Sequence, residues 1–258
     1  MEKIDRRRHY ILVVDTETAN TIQDDKGLDM SNVLVYDCGW QVVDTHGTVY
    51  ASASYVNRDI FVYERELMQS AYYAHKIQQY IDDIKAGRRI MADTYEIRQA
   101  MIADMEKFGI TEVAAHNAFF DFRALNGTQR YVTKSRFRYW FPYGTQIWDT
   151  MRMAESVICK MPTYRKFCEE NGYLTKTGKL RKTAEILWRF ISKNPDFVES
   201  HTGLEDVEIE AQIMAYCFRQ HKHIDKELFT NKQTNEPPTD FQKMVMRSIK
   251  DTPVLQRV

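Results

Sequence analysis

The spacing of apolar and polar positions changes period several times along the chain, and each change predicts an element. Residues 9 to 15, HYILVVD, are a short apolar run that reads as a first buried strand. Two longer runs follow, VLVYDCGWQVV at 33 to 43 and TVYASASYV at 48 to 56. The turn DTHG between them predicts an antiparallel hairpin that extends the first strand into a sheet. From Tyr63 to Phe108 the spacing becomes three and four, predicting helices over ERELMQSAYYAHKIQQYIDDI and TYEIRQAMIADMEKFG with a break at KAGRRI. TEVAAHN is then a short strand, and Asn117 is placed to cap a helix AFFDFRAL that Asn126 and Gly127 stop. GTQIWDT predicts a further strand running into a helix at 150 to 159, and NGYLTKTGK separates the region after it from the helix LRKTAEILWRFIS. The last strong helix runs from about Leu204 to Lys222, with Val207, Ala211, Met214, Ala215 and Phe218 on one stripe. Beyond Phe229 the text turns polar, TNKQTNEPPTD reading as a linker and FQKMVMRSIK as a short terminal helix. Strands interleaved with helices predict an α/β architecture, a mixed sheet with helices packed on it.

Composition narrows this picture without giving it a function. With 258 residues and 43% apolar side chains, the chain buries a full core, so one large domain at 1–229 followed by a polar tail at 230–258 is expected. The 36 basic and 36 acidic residues cancel, which removes any argument from overall charge for a polyanionic partner. Charge is local instead: Arg130 to Lys193 holds fourteen Lys/Arg against five acids, a net +9, read either as solvated helix faces or as a polyanion-binding surface. Cys38, Cys159, Cys168 and Cys217 have no CxxC spacing, and MEKIDRRRH leads into no signal-type segment, so a reducing, cytoplasmic location is expected. No run approaches the ~18 apolar residues of a membrane span. His221 and His223 read as a solvated helix terminus.

The first strand ends in Asp15, Thr16, Glu17, and in an extended chain the two carboxylates share a face. Partly buried, such a pair needs a proton or a shared cation, and hard divalent ions such as Mg²⁺ or Mn²⁺ favour carboxylate oxygens. The reading with no site is that the strand has emerged into water by Asp15. Two further acids stand near helix starts. Asp121 lies one turn beyond Asn117, and Asp206 follows Thr202 and Glu205, whose T-x-x-E spacing predicts a capping box with His201 just outside it.

Taken in order, VVDTET, HNAFFD and HTGLED resemble the three motifs of the DEDDh 3′–5′ exonucleases, and they span residues 15 to 206. The resemblance implies a ribonuclease H-like fold with a mixed five-stranded sheet, and a site holding two divalent ions, Mg²⁺ or Mn²⁺. It implies Asp15, Glu17 and Asp206 as direct ligands, Asp15 bridging both ions, Asp121 holding one through water, and His201 as general base. Around them Thr16, Thr18, Asn117, Phe119 and Phe120 are candidates to meet the terminal nucleotide, Phe120 being read preferentially as core. Arg136 and Arg138, interleaved with Tyr131, Phe137, Tyr139, Trp140 and Phe141, are candidates to guide a strand. The implied partner is single-stranded nucleic acid, DNA favoured over RNA, with a separate polymerase if the role is proofreading. Exoribonuclease activity and a silent binding module are the alternatives. The chain departs from the family in the acidic stretch 20–32, in a longer helical insertion at about 60–108, and in Gly203 where Ala is frequent.

Overall fold

A computed structural model describes residues 4–19, 23–24, 27–28 and 33–235. The apolar run at the start of the chain forms β1 (Ile11–Ala19), which extends four residues past Asp15. The predicted hairpin is β4 (Leu34–Val43) and β5 (Val49–Asn57), turned at Asp44, whose carboxylate accepts from the backbone N–H groups of His46 and Thr48. All ten residues of β4 are buried, as expected of a strand covered on both faces. Two dipeptides, β2 (Gln23–Asp24) and β3 (Gly27–Leu28), pair with each other in the acidic stretch.

The main sheet is mixed, as expected, but has seven strands where five were expected. With β6 (Ile90–Ala92), β7 (Glu112–Ala115), β8 (Gln146–Asp149) and β9 (Glu227–Thr230), the order is β6-β5-β4-β1-β7-β8-β9. The two unforeseen strands are its edges. β6 has three residues and begins at the last residue of the break KAGRRI, and β9 has four around Phe229. Each is too short to show an apolar period, although Ala92 of β6 and Leu228 and Phe229 of β9 pack against the core. Asn231, just past β9, is buried and donates to the carbonyls of Phe141 and Pro142, so the packed domain runs across residue 229. The terminal helix FQKMVMRSIK lies outside the described residues.

Alternation along β1 sends Leu12 and Val14 to one face and Ile11 and Val13 to the other. The first face packs against α4 (Thr94–Phe108) and α5 (Ala118–Thr133), and the second against α6 (Thr150–Ser156), α8 (Ala184–Ser192) and α9 (Gly203–Arg219). A smaller cluster lies under the insertion, built by α1 (Arg58–Phe61), α2 (Arg65–Ser70) and α3 (Ile77–Lys85) over Leu34, Tyr36 and Val56. A short helix, α7 (Pro162–Glu170), completes the second layer through Tyr164 and Cys168.

Helix α5 does not stop at Asn126 and Gly127 but runs on to Thr133. Its polar residues are used inward: Asn126 Oδ1 accepts from Trp140 N at 2.7 Å, and Thr128 Oγ1 accepts from Val35 N at 2.8 Å. The extra turn places Trp140 and Phe141 in the core, so two of the five aromatics read as a strand-guiding surface are packing residues. Asn117 stands at the N-cap position of α5, but in a left-handed conformation (φ 66°) without a side-chain cap. Among the described residues no helix is long and apolar enough to cross a membrane.

Candidate active site

The parallel strands β1, β7 and β8 end on the same side of the sheet, the side where α/β sheets collect ligands. Asp15 and Glu17 lie at that end of β1, on the α9 face. Asp121 comes over from the opposite layer, one turn into α5, and is buried with Thr16 Oγ1 donating to its Oδ1 at 2.7 Å. Helix α9 brings Asp206, buried, whose Oδ2 accepts from Thr202 N at 3.1 Å.

Close backbone contact sets this helix in place. A Cβ on Gly39, the partner of Asp15 across β1 and β4, would lie 2.3 Å from Leu204 N, and one on Gly203 would lie 2.8 Å from Gly39 N. Gly203, where the family often has Ala, therefore allows the start of α9 to rest directly on β4. One ligand atom each from Glu17, His201 and Asp206 falls within a 4.8 Å span.

The electrostatics of the cluster are those of acids lacking a counter-charge. Burial pushes Asp15 well above the carboxylate range, and Glu210, Asp121, Glu17 and Asp206 push it further. Burial, then Asp206 and Asp37, take Glu17 to about 9, and Lys76 opposes them. Asp206 rises to about 8 through burial and Glu199. Asp121 rises to about 7 through burial, with the Thr16 hydroxyl pulling the other way. Packed carboxylates held in this state are a donor set for hard divalent cations, and the residues present fit Mg²⁺ or Mn²⁺.

No protein-family profile matches the sequence. No curated protein matches it either. Solved structures do match. The nuclease domain of 3′hExo, described as a DEDDh family member bound to rAMP, superposes with a TM-score of 0.54 at 12% identity, over 88% of this chain and 98% of that one. A 3′-exonuclease structure concerned with 3′-end recognition of a histone mRNA stem-loop gives 0.56 at 11% identity, over 91% and 78%. A full-length 3′-exonuclease gives 0.52 at 12%, over 90% and 92%. The fold is that of the DEDDh 3′-exonucleases.

Within this DEDDh-type fold the four acids and one imidazole named from the motifs, Asp15, Glu17, Asp121, Asp206 and His201, meet at one end of the sheet. The expected nucleotide contacts divide. Phe119 is exposed, with the Arg123 guanidinium 5.4 Å above its ring, and Phe120 packs against the core, as expected of it. Thr16 and Thr18 are buried, and the Thr16 hydroxyl donates to Asp121. Asn117 lends its backbone N–H to Asp149, 3.1 Å away. Arg136 and Arg138 are exposed in the loop after α5, and among the described residues no hydrogen bond or ion pair joins them to the carboxylates.

The capping box is also absent. Thr202 is the N-cap of α9, but its hydroxyl donates to the Glu205 side chain at 2.7 Å and caps no backbone group. Glu205 turns away to Arg89, and Asp206 takes the Thr202 N–H in its place.

Several residues of the site were not singled out from the sequence. Glu210, buried and accepting from His116 N at 3.1 Å, adds another carboxylate beside Asp15. Its spacing, four after Asp206 on the same helix face, was the available signal. Glu199, taken to about 7 by burial, faces His201 Nδ1 at 3.8 Å. Tyr73, Lys76 and Arg89 come from the insertion, and no local pattern announces that they reach this loop.

Proposed function

We propose that the protein is a metal-dependent 3′–5′ exonuclease that hydrolyses the terminal phosphodiester of single-stranded or frayed nucleic acid. The observation that carries this reading is the convergence of Glu17, His201 and Asp206 within 4.8 Å beside the half-buried Asp15 and the buried Asp121. Asp15, Glu17 and Asp206 would hold the divalent ions directly, and Asp121 would act through water. When bound, the ions would offset charge on the phosphate oxygens and acidify the attacking water.

The imidazole of His201 takes the proton. With Nδ1 turned towards Glu199, Nε2 is the atom left to face the water. The water oxygen bonds to phosphorus, the bond to the 3′ oxygen of the preceding nucleotide breaks, and a nucleoside 5′-monophosphate leaves. Burial, and then Lys76, depress the His201 pKa below 6.5, so the base stays neutral and competent through the neutral range. The acid limb of kcat against pH, so far as His201 sets it, therefore falls below pH ~6.5. His201→Ala is expected to lower kcat by about 10²- to 10⁴-fold and to remove that limb.

The test is a 5′-labelled single-stranded oligonucleotide incubated with Mg²⁺, Mn²⁺ or EDTA and resolved on a denaturing gel. A metal-dependent ladder descending from full length supports the reading. Folded protein that binds the strand and never shortens it, under any metal, overturns the reading in favour of a silent binding module.

DNA is the substrate favoured from the sequence. A second reading, RNA 3′ ends, has its own support, because the structures with TM-scores above 0.5 include one bound to rAMP and one concerned with a histone mRNA stem-loop. Matched DNA and RNA oligonucleotides in the same assay decide between them by relative kcat/KM. The 2′-OH is the only group in which the two differ along an unpaired backbone.

A further inference from the structure

We propose that Tyr73 and Lys76, from the helical insertion between β5 and β6, are positioning residues that fix the imidazole of His201; the catalytic consequence rests on the reading of His201 as the proton acceptor. His201 belongs to neither a strand nor a helix. It occupies a left-handed backbone conformation (φ 51°) in the loop that precedes α9, and about a third of its side chain is exposed. A single residue in that conformation persists only where its surroundings hold it, and general-base chemistry tolerates only a few tenths of an ångström of drift.

The insertion provides that hold from two directions. The ring of Tyr73 lies 4.7 Å from the imidazole at 17°, a near-parallel stack that covers one face. Lys76 Nζ donates to the carbonyl of Ser200 and to that of His201, the latter at 3.2 Å, tying down the loop backbone on both sides of the left-handed turn. The same ammonium stands 4.7 Å above the Tyr73 ring, so one cation joins the stacking ring to the loop.

The sequence spacing makes this possible. Tyr73 and Lys76 flank a 3₁₀ turn, Ala74–Lys76, closed by Lys76 N donating to Tyr73 O at 2.9 Å, and residues three apart in such a turn project the same way. Glu199 faces the Nδ1 edge, so face, edge and backbone are all held and Nε2 stays open. The insertion, longer than a minimal exonuclease of this type needs, thus acts directly on the third motif.

The test reads the contact and its consequence separately, on the full chain. In the metal-free protein, the His201 ring protons, assigned through His201→Gln, are expected upfield of those of an exposed histidine because they lie over the Tyr73 ring. Tyr73→Leu removes that displacement and Tyr73→Phe keeps it. The buried His116, bonded to Lys182 O at 2.8 Å, serves as a resonance that stays in place if the fold is intact. In turnover, Tyr73→Leu is expected to lower kcat by roughly 10- to 100-fold, the scale of a misplaced reacting group, with KM nearly unchanged, and Tyr73→Phe to restore most of it. Lys76→Met is expected to act in the same direction.

An unchanged His201 resonance in Tyr73→Leu overturns the contact. A lost displacement with undiminished kcat overturns the positioning role. Wild-type protein that hydrolyses nothing would sink the exonuclease reading and, with it, the catalytic consequence, while the resonance would still decide whether Tyr73 and Lys76 fix the ring.

Discussion

Asp15→Asn is expected to abolish hydrolysis and, at the same time, to raise the melting temperature of the metal-free protein. Both effects have one cause. Asp15 faces Glu210, Asp121, Glu17 and Asp206, and its carboxyl is pushed up first by burial and then by each of them. The amide keeps the shape and removes a carboxyl group that, without a cation, the fold can hold only at the cost of a proton or an unpaired charge. If Asp15 holds the ions as proposed, its loss withdraws several kcal/mol of transition-state stabilisation, roughly 10³-fold or more in kcat. Relief of a like-charge contact works in the opposite direction on stability, with each kcal/mol gained worth ~2–4 °C in a domain of this size.

The pH dependence fixes the sign. Glu17 titrates at about 9 and Asp206 at about 8 in the folded chain, against ~4 for carboxylates in the unfolded one. Between those limits the folded state binds more protons, so metal-free stability falls as pH rises from about 4 to about 9. A divalent ion displaces those protons, and Mn²⁺ is expected to raise the wild-type melting temperature increasingly towards alkaline pH while raising that of Asp15→Asn far less. Calorimetry of both proteins with and without Mn²⁺ measures all of this. Equal Mn²⁺ shifts in the two would remove Asp15 from the metal site, and retained hydrolysis in the variant would remove the site itself.

The residues that carry charge into the site were legible because their signals are local. Asp15 and Glu17 are two apart on one strand, and Asp121, His201 and Asp206 stand at helix starts, so pattern and motif locate them without a fold. What was misread depends on partners remote in sequence. Asn126 and Gly127 have the form of a helix stop, yet Asn126 bonds to Trp140 and Thr128 to Val35, and these contacts carry α5 straight through. Thr202 and Glu205 have the spacing of a capping box, yet Glu205 is drawn to Arg89, 116 residues away. Thr16 depends on a remote partner in the same way: its hydroxyl goes to Asp121, 105 residues away.

Asp37 shows why burial and acidity alone do not make a ligand. It sits opposite Glu17 in the β1–β4 register and is fully buried, but it is paired directly with a guanidinium, that of Arg89. Arg89 Nη1 lies 3.3 Å from its Oδ2, which also accepts from Tyr80 Oη at 2.7 Å and from Gly203 N at 3.0 Å. Burial still leaves Asp37 above its ordinary range, with Arg89 the strongest influence pulling it back. Arg89→Met is therefore expected to be the most destabilising single change in this region. It strands Asp37, takes from Asp83 the weaker of its two guanidinium partners, at 3.2 Å, while Arg88 stays at 2.6 Å, and it leaves Ser54 Oγ without its 2.8 Å donor.

Breaking a buried pair from one side costs about 3–5 kcal/mol, here on the order of 10 °C. Glu205 contributes little to that figure because it is half exposed, although its carboxylate is bonded by Arg89 Nη2 at 2.9 Å. Through the Gly203 N–H the damage reaches the start of α9, so hydrolysis is expected to fall together with stability. Adding Asp37→Asn removes the stranded charge and is expected to restore part of both, a coupling that denaturant melts of the two single variants and the double variant measure directly. Additive losses would mean that Arg89 acts on the site by some route other than Asp37, and a melting temperature within a degree of wild type would mean that the buried network is not what fixes α9 against β4.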